Sequence, residues 1–177
     1  MEELTKEERI QKYLSFMPEE ARIPVEILEE LGFFTAPASK KYHGAYEGGL
    51  FDHSYLVAEK LVDLTEKLGL VWERPRSPYL VGMFHDLCKC DLYVEEKPGK
   101  YAWNDAVIYP DHGPKSVMLA SRYLRLTLEE EACIRWHMGA YEENTEMWDY
   151  YGHAVEKYHN VLFTHTADMF ASHCVGV

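Results

Sequence analysis

The stretch that most constrains this chain is an apolar run over residues 79–84, Tyr-Leu-Val-Gly-Met-Phe, which ends in His85-Asp86-Leu87-Cys88-Lys89. A histidine and a carboxylate set among such neighbours are costly to bury unless paired or bound to a metal. Whatever fold forms must therefore bring partners to them. Adjacent residues on a helix point about 100° apart, so the two side chains can reach different sides of one ion, or Asp86 can bridge to a second. A surface carboxylate beside a hydrogen-bonded histidine would account for the doublet alone. The rest of the chain decides between these readings.

The 177 residues, 47% hydrophobic and 27% charged, suit a single domain over 1–177 with a real core. No stretch reaches the roughly 18 apolar residues that would span a membrane. The N-terminus, Met1-Glu2-Glu3-Leu4-Thr5-Lys6, lacks the apolar segment of a signal peptide, so a cytoplasmic location is expected. The four cysteines read as reduced thiols rather than a disulfide framework. Cys88 and Cys90 make a Cys-x-Cys pair with no second pair beside it, a poor zinc site. The net charge of −12 argues against an extensive nucleic-acid surface. It leaves a nucleotide substrate open, because bound divalent cations reverse the local field.

Periodicity predicts an all-α bundle of about seven helices with one β-hairpin insertion. Residues 5–16 form the first helix, with Thr5 and Glu8 as a capping box. Residues 18–31 form the second, stopped by Gly32. Residues 33–47 read as an ordered loop and 50–68 as a long helix whose apolar face, Leu56, Val57, Leu61, Leu64 and Leu68, includes His53. A helix over 78–89 carries the doublet. The period then changes, and two short β-like runs flank Lys97-Pro98-Gly99 as a hairpin beside the site. A helix opens at Asp111-His112-Gly113-Pro114, another at Thr127, with Glu130 closing a capping box, and runs to residue 138. A last helix covers 151–174, where Val161, Leu162, His165, Asp168 and Met169 share a side.

His53, His85, Asp86, His112, His137 and Asp168 all fall on apolar helix faces or at helix starts. Each alone has a bland explanation. Together, four imidazoles and two carboxylates provide a site for one or two divalent ions with positions left for water. Mn, Fe, Co, Ni, Mg and Zn all suit such donors, and the sequence does not choose among them.

The order and context of these residues resemble the HD-domain metal-dependent phosphohydrolases. The resemblance rests on Gly48-Gly49-Leu50-Phe51-Asp52-His53-Ser54, then His85-Asp86 followed by Lys89, then His112, His137 and Ala167-Asp168. The segment from His43 to His53 is most similar to the HD domain of bacterial 3′-to-5′ exoribonucleases. The resemblance implies a metal-binding core over 42–174, with 1–40 as an N-terminal helical extension. It implies that His53, His85, Asp86 and Asp168 hold one ion, and that two-metal members add His112 and His137 with Asp86 bridging. Lys89 would meet a substrate phosphate, making Asp86 and Lys89 the catalytic pair, and Arg135 is a second candidate substrate contact. His165 is either an orienter of the ligands or a packed side chain. The chain departs from the family in Leu87-Cys88 before the lysine and in Met138 after His137. These residues also contain no counterpart of the exoribonucleases' oligonucleotide-binding segment.

The expected function is divalent-metal-dependent hydrolysis of a nucleotide or other small phosphate ester. Alternatives are phosphodiester cleavage in short single strands, a catalytically idle ligand-sensing module, and an iron-pair oxygenase. Tyr42, Tyr46, Trp103, Tyr109, Trp136 and Tyr141 lie near the motifs as candidates for stacking a base, although with 13 tyrosines in the chain packing explains any one of them.

Overall fold

The computed structural model describes residues 4–109, 111–139 and 144–177. The fold is an all-α bundle with a small antiparallel hairpin inserted beside it. Among the described residues there are eight α-helices: α1 Lys6–Phe16, α2 Val25–Leu31, α3 Gly49–Leu68, α4 Ser77–Phe84, α5 His112–Ala120, α6 Leu128–Arg135, α7 Trp148–Lys157 and α8 Asn160–Met169. None of them is long and apolar enough to cross a membrane.

Both expected capping boxes form. Thr5 Oγ1 accepts from the Glu8 N–H at 3.2 Å while Glu8 returns a bond to the Thr5 N–H at 2.8 Å, and Thr127 with Glu130 repeats the pattern at α6. Four expected helices are cut short, α6 among them, which stops at Arg135 rather than at residue 138 because Trp136 leaves the helical region. The stretch 18–31 is a single 3₁₀ turn, Glu19–Ala21, followed by α2, because Pro24 drives the residues before it towards extended backbone. The expected 151–174 helix breaks at Tyr158, whose backbone leaves the helical region. It restarts where Asn160 donates to the Val71 carbonyl and to Glu129 Oε1 at 2.8 and 2.9 Å. The expected 78–89 helix stops at Phe84, and Leu87–Asp91 forms a 3₁₀ turn.

One apolar cluster runs through the bundle. Phe33, Phe34, Phe51 and Phe84 meet with ring centroids 5.4–6.1 Å apart. Tyr13, Ile23 and Leu28 from the first forty residues pack into the same cluster. The Tyr13 hydroxyl donates to the Ile23 carbonyl at 2.8 Å, which fixes α1 against the start of α2. Helices α3 and α4 cross closely at Gly82: a Cβ there would lie 2.3 Å from the Ala58 Cα. That crossing sets His53 of α3 beside His85 at the end of α4.

The hairpin pairs β1 (Tyr93–Lys97) with β2 (Lys100–Trp103) in the register Tyr93↔Trp103, Val94↔Ala102 and Glu95↔Tyr101, with an irregularity before Lys97. Gly99 takes the left-handed conformation that closes the turn. Tyr93 and Trp103 pack at 5.1 Å and lie next to the site described below.

Candidate metal centre

Three histidines converge here, and each is fixed by its other ring nitrogen. His85 Nδ1 donates to the Gly82 carbonyl, His137 Nδ1 to the Ile134 carbonyl and His53 Nδ1 to the Val177 backbone oxygen, each at 2.8 Å. An oxygen of this kind only accepts, so each Nδ1 carries a proton, and in the neutral ring each Nε2 then turns a lone pair to the centre. His85 and His137 do this in the same way. Each sits just past a helix end and binds the carbonyl three residues back, a group the ending helix leaves unsatisfied. The partial negative charge of the α4 and α6 C-termini also falls towards this point, which favours a cation.

The donors lie at the spacing of ligands around one ion. His53 Nε2 is 3.2 Å from His85 Nε2, 3.3 Å from Asp168 Oδ1 and 3.6 Å from Asp86 Oδ2. His85 Nε2 and Asp86 Oδ2 are 3.4 Å apart, as are His137 Nε2 and Asp86 Oδ1. Ligands held about 2.1 Å from a metal are separated by roughly 3.0–3.4 Å, depending on the polyhedron. The sharpest observation is the last pair. Asp86 is 2% exposed, and both its Oδ1 and the facing His137 Nε2 are buried without a hydrogen-bond partner. A carboxylate oxygen and an imidazole nitrogen opposed in a protein interior need a proton or a metal cation between them. The residues present fit a divalent ion.

Around this centre the chain builds a rigid frame. Arg9 reaches across from α1 to hold Asp52 with two bonds of 3.0 Å, fixing the first turn of α3 next to His53. Gly48 permits this, since its φ of +82° is left-handed and a Cβ there would strike the Arg9 guanidinium at 2.2 Å. His165 Nδ1 donates to the His137 carbonyl at 2.8 Å, so it steadies the backbone of a candidate ligand.

The six sequence-derived candidates separate into overlapping groups. His53, His85 and Asp86 form one; His85, His137 and Asp168 form another that shares His85. His112, at the start of α5, stands instead with Asp86 and Cys88, its Nδ1 3.4 Å from the Cys88 Sγ. His137 thus groups with His85 and Asp168 rather than with His112.

Lys89 is no solvated surface charge: its Nζ lies 2.6 Å from Asp86 Oδ2 and its side chain is largely buried. Burial works against the ammonium, but Asp86 outweighs it and holds the Lys89 pKa above its ordinary range. Burial likewise pushes the Asp86 carboxyl up, and the Lys89 charge, helped by the facing His85 and His137 rings, more than reverses this, leaving it well below the usual carboxylate range. Burial, with Asp86 nearby, raises the Cys88 thiol to about 12, so without a cation it is protonated.

The centre opens on a cavity of about 240 Å³, lined by Asp86, Lys89, His112 and Asp168 together with Tyr42, His43 and Tyr93. His43, whose ring lies 5.0 Å from that of His53, escapes sequence reasoning because it sits in a loop with no period to mark it. Burial, and then the Lys89 charge, lowers its pKa to about 4, so its ring is neutral at pH 7. Tyr93 carries no sequence signal either; Cys88 shows up in the sequence as half of a Cys-x-Cys pair with Cys90 and in the departure of Leu87-Cys88 from the family pattern, and neither points to His112.

Arg135 lines a different groove, with Leu128, Glu131 and Trp136, and its guanidinium lies 4.0 Å over the Trp136 ring. Of the aromatic candidates, Tyr42 lines the cavity, and Trp103 backs Tyr93. Tyr46 donates to Asp52, Tyr109 lines a separate small groove, and Trp136 lies under Arg135. Tyr141 lies outside the described residues. Compared with known protein families, with characterised proteins and with solved structures, the chain finds no match in any of the three.

Proposed function

We propose that this protein is a divalent-metal-dependent phosphohydrolase of the HD type, acting on a nucleotide or another small phosphate ester. The observation that carries the reading is the buried, unpartnered pair Asp86 Oδ1 and His137 Nε2, set among further imidazoles whose protons all point outward. In this reading His53, His85, Asp86 and Asp168 hold the ion, and His137 completes its surroundings. A bound divalent ion supplies Lewis acidity, polarising a phosphoryl oxygen and bringing the pKa of water towards neutrality.

The remaining work falls to side chains on the cavity wall. Lys89 presents a permanent positive charge to a phosphate oxygen, and the Asp86 contact orients it. His43 offers one N–H and one lone pair to the leaving group or to an attacking water. The backbone carbonyls behind the histidines keep their tautomers fixed, so the donors need no reorganisation when substrate arrives. A cavity of about 240 Å³ is below the usual ~300–1,000 Å³ of drug-sized ligand sites. Together with the net charge of −12, it favours a small ester over a long nucleic-acid strand.

The test is hydrolysis of p-nitrophenyl phosphate, bis(p-nitrophenyl) phosphate and nucleoside monophosphates by metal-loaded protein, with metal content measured in parallel. Activity in the wild type that vanishes in His53→Ala and Asp86→Ala, with metal lost from both, is the expected result. Wild type and variants alike in activity and metal content would overturn the reading.

A further inference from the structure

We propose that Cys88 is a thiol ligand of a second metal position, held together with His112 and Asp86. The inference rests on the metal-centre reading above and goes beyond it, since a thiol donor is not part of the His/Asp pattern that the sequence suggests. Its geometry is direct. One donor atom from each of Asp86, Cys88 and His112 lies within 4.8 Å of the others, and the Cys88 Sγ is 3.4 Å from His112 Nδ1. Sulfur and imidazole nitrogen bound to one zinc ion, at about 2.3 and 2.0 Å and a tetrahedral angle, are separated by about 3.5 Å.

The surroundings are fixed in advance. Cys88 is buried in the 3₁₀ turn that follows the doublet, and its N–H donates to Ser116 Oγ on α5 at 3.1 Å. That bond ties the thiol to the helix that begins with His112. Asp86, 2% exposed, is the member shared with the first centre: Lys89 occupies its Oδ2, while its buried Oδ1 has no hydrogen-bond partner and faces only His137 Nε2 at 3.4 Å among the described contacts. His112 is also separated from His137, the residue that would otherwise share a second ion with it: His137 groups with His85 and Asp168.

When the ion coordinates, the Cys88 S–H bond breaks, its proton leaves to solvent and a sulfur–metal bond forms, with no change of oxidation state. A sulfur donor shifts selectivity at this position towards Zn²⁺, Co²⁺ or Fe²⁺ and away from Mg²⁺ and Mn²⁺. A simple S–H···N hydrogen bond between Cys88 and His112 is the competing explanation of the same distance.

The deciding experiment loads wild type, Cys88→Ser, His112→Ala and, as a control, Cys133→Ser with Co²⁺, records the near-ultraviolet spectrum, and counts zinc per chain in parallel preparations. The expected result is a sulfur-to-cobalt charge-transfer band in wild type and Cys133→Ser, its loss in the other two variants, and one zinc fewer per chain in Cys88→Ser. Circular dichroism confirms that each variant is folded. Metal bound without the band, or the same band and zinc count in Cys88→Ser, overturns the thiol ligand and leaves the His53–His85–Asp86 centre standing. No metal in folded wild type overturns both.

Discussion

The crossing of α3 and α4 makes the candidate centre depend on a residue that never touches it. In Gly82→Ala the new Cβ would lie 2.3 Å from the Ala58 Cα and 2.7 Å from its nitrogen, where ordinary contact begins at 3.4 Å. These are backbone atoms in the middle of a helix, so no rotamer change relieves the clash and the helices must part by about 1 Å. Overpacking of a core ordinarily costs about 1–3 kcal/mol. The upper end applies here, because Val57, Leu61, Leu80, Val81 and Phe84 all lose contact as the helices separate. A loss of about 3 kcal/mol lowers the melting temperature of a chain this size by roughly 6–12 °C. The Gly82 carbonyl also accepts the His85 Nδ1–H at 2.8 Å, so the shift would move a candidate ligand and should weaken the proposed metal binding as well. Thermal unfolding measured with and without zinc reads both effects. Gly152→Ala, where a Cβ meets nothing within 4 Å, is the matched control and should be neutral or slightly stabilising. If Gly82→Ala melts no lower than Gly152→Ala, the close crossing is not what positions His85.

Three further outcomes are expected. His165→Ala removes the bond to the His137 carbonyl and should weaken metal affinity about 10–100-fold without unfolding the chain, as zinc titration by calorimetry would show. Lys89→Met should raise affinity for the ion about tenfold, because the ammonium 2.6 Å from Asp86 Oδ2 no longer competes for that oxygen, while phosphatase turnover falls. The metal-free protein should lose stability in acid. The folded Asp86 carboxyl titrates below the ordinary value of 3.8, so as pH falls past that value the unfolded chain takes up the proton first. The stabilisation is present above that range and disappears as pH falls through the folded pKa. Urea midpoints from about pH 5 to about pH 3 should drop in the wild type and drop less in Asp86→Asn.

What the sequence made legible is what depends on near neighbours. Thr5 with Glu8 and Thr127 with Glu130 are visible because a capping box closes within one turn. His53 is visible because Val57, four residues on, shares its buried face. The end of α4 is not visible in this way. The apolar run continues the helical period to Phe84, but His85 then spends its ring N–H on the Gly82 carbonyl and the chain turns. The break at Tyr158 is set by Val71 and Glu129, far away in sequence, through Asn160. Arg135 looked close to the centre because it is two residues from His137. Residues two apart on a helical turn point about 200° from one another, and Arg135 accordingly lies over Trp136. Cys88 and His43 belong to no periodic pattern, so only folding shows that they border the same cavity.

The two oxygens of Asp86 have different neighbours. Oδ2 faces His53, His85 and Lys89 at 3.6, 3.4 and 2.6 Å, whereas Oδ1 faces His137 at 3.4 Å. A carboxylate divided in this way can serve two cations at once, one from each oxygen. Charge then limits what the site holds. Asp86 and Asp168 bring two negative charges, and Lys89 offsets one of them. A first dication is left incompletely neutralised, and a second would raise a positive potential that imidazoles, being neutral, cannot offset. Two further sources of negative charge are at hand: the Cys88 thiol, if it yields its proton, and a dianionic phosphate ester in the cavity. On this reasoning the pocket of a chain with net charge −12 becomes locally anion-seeking once it is loaded. That preference for a doubly charged ligand over a neutral ester follows from the same residues that would hold the metal.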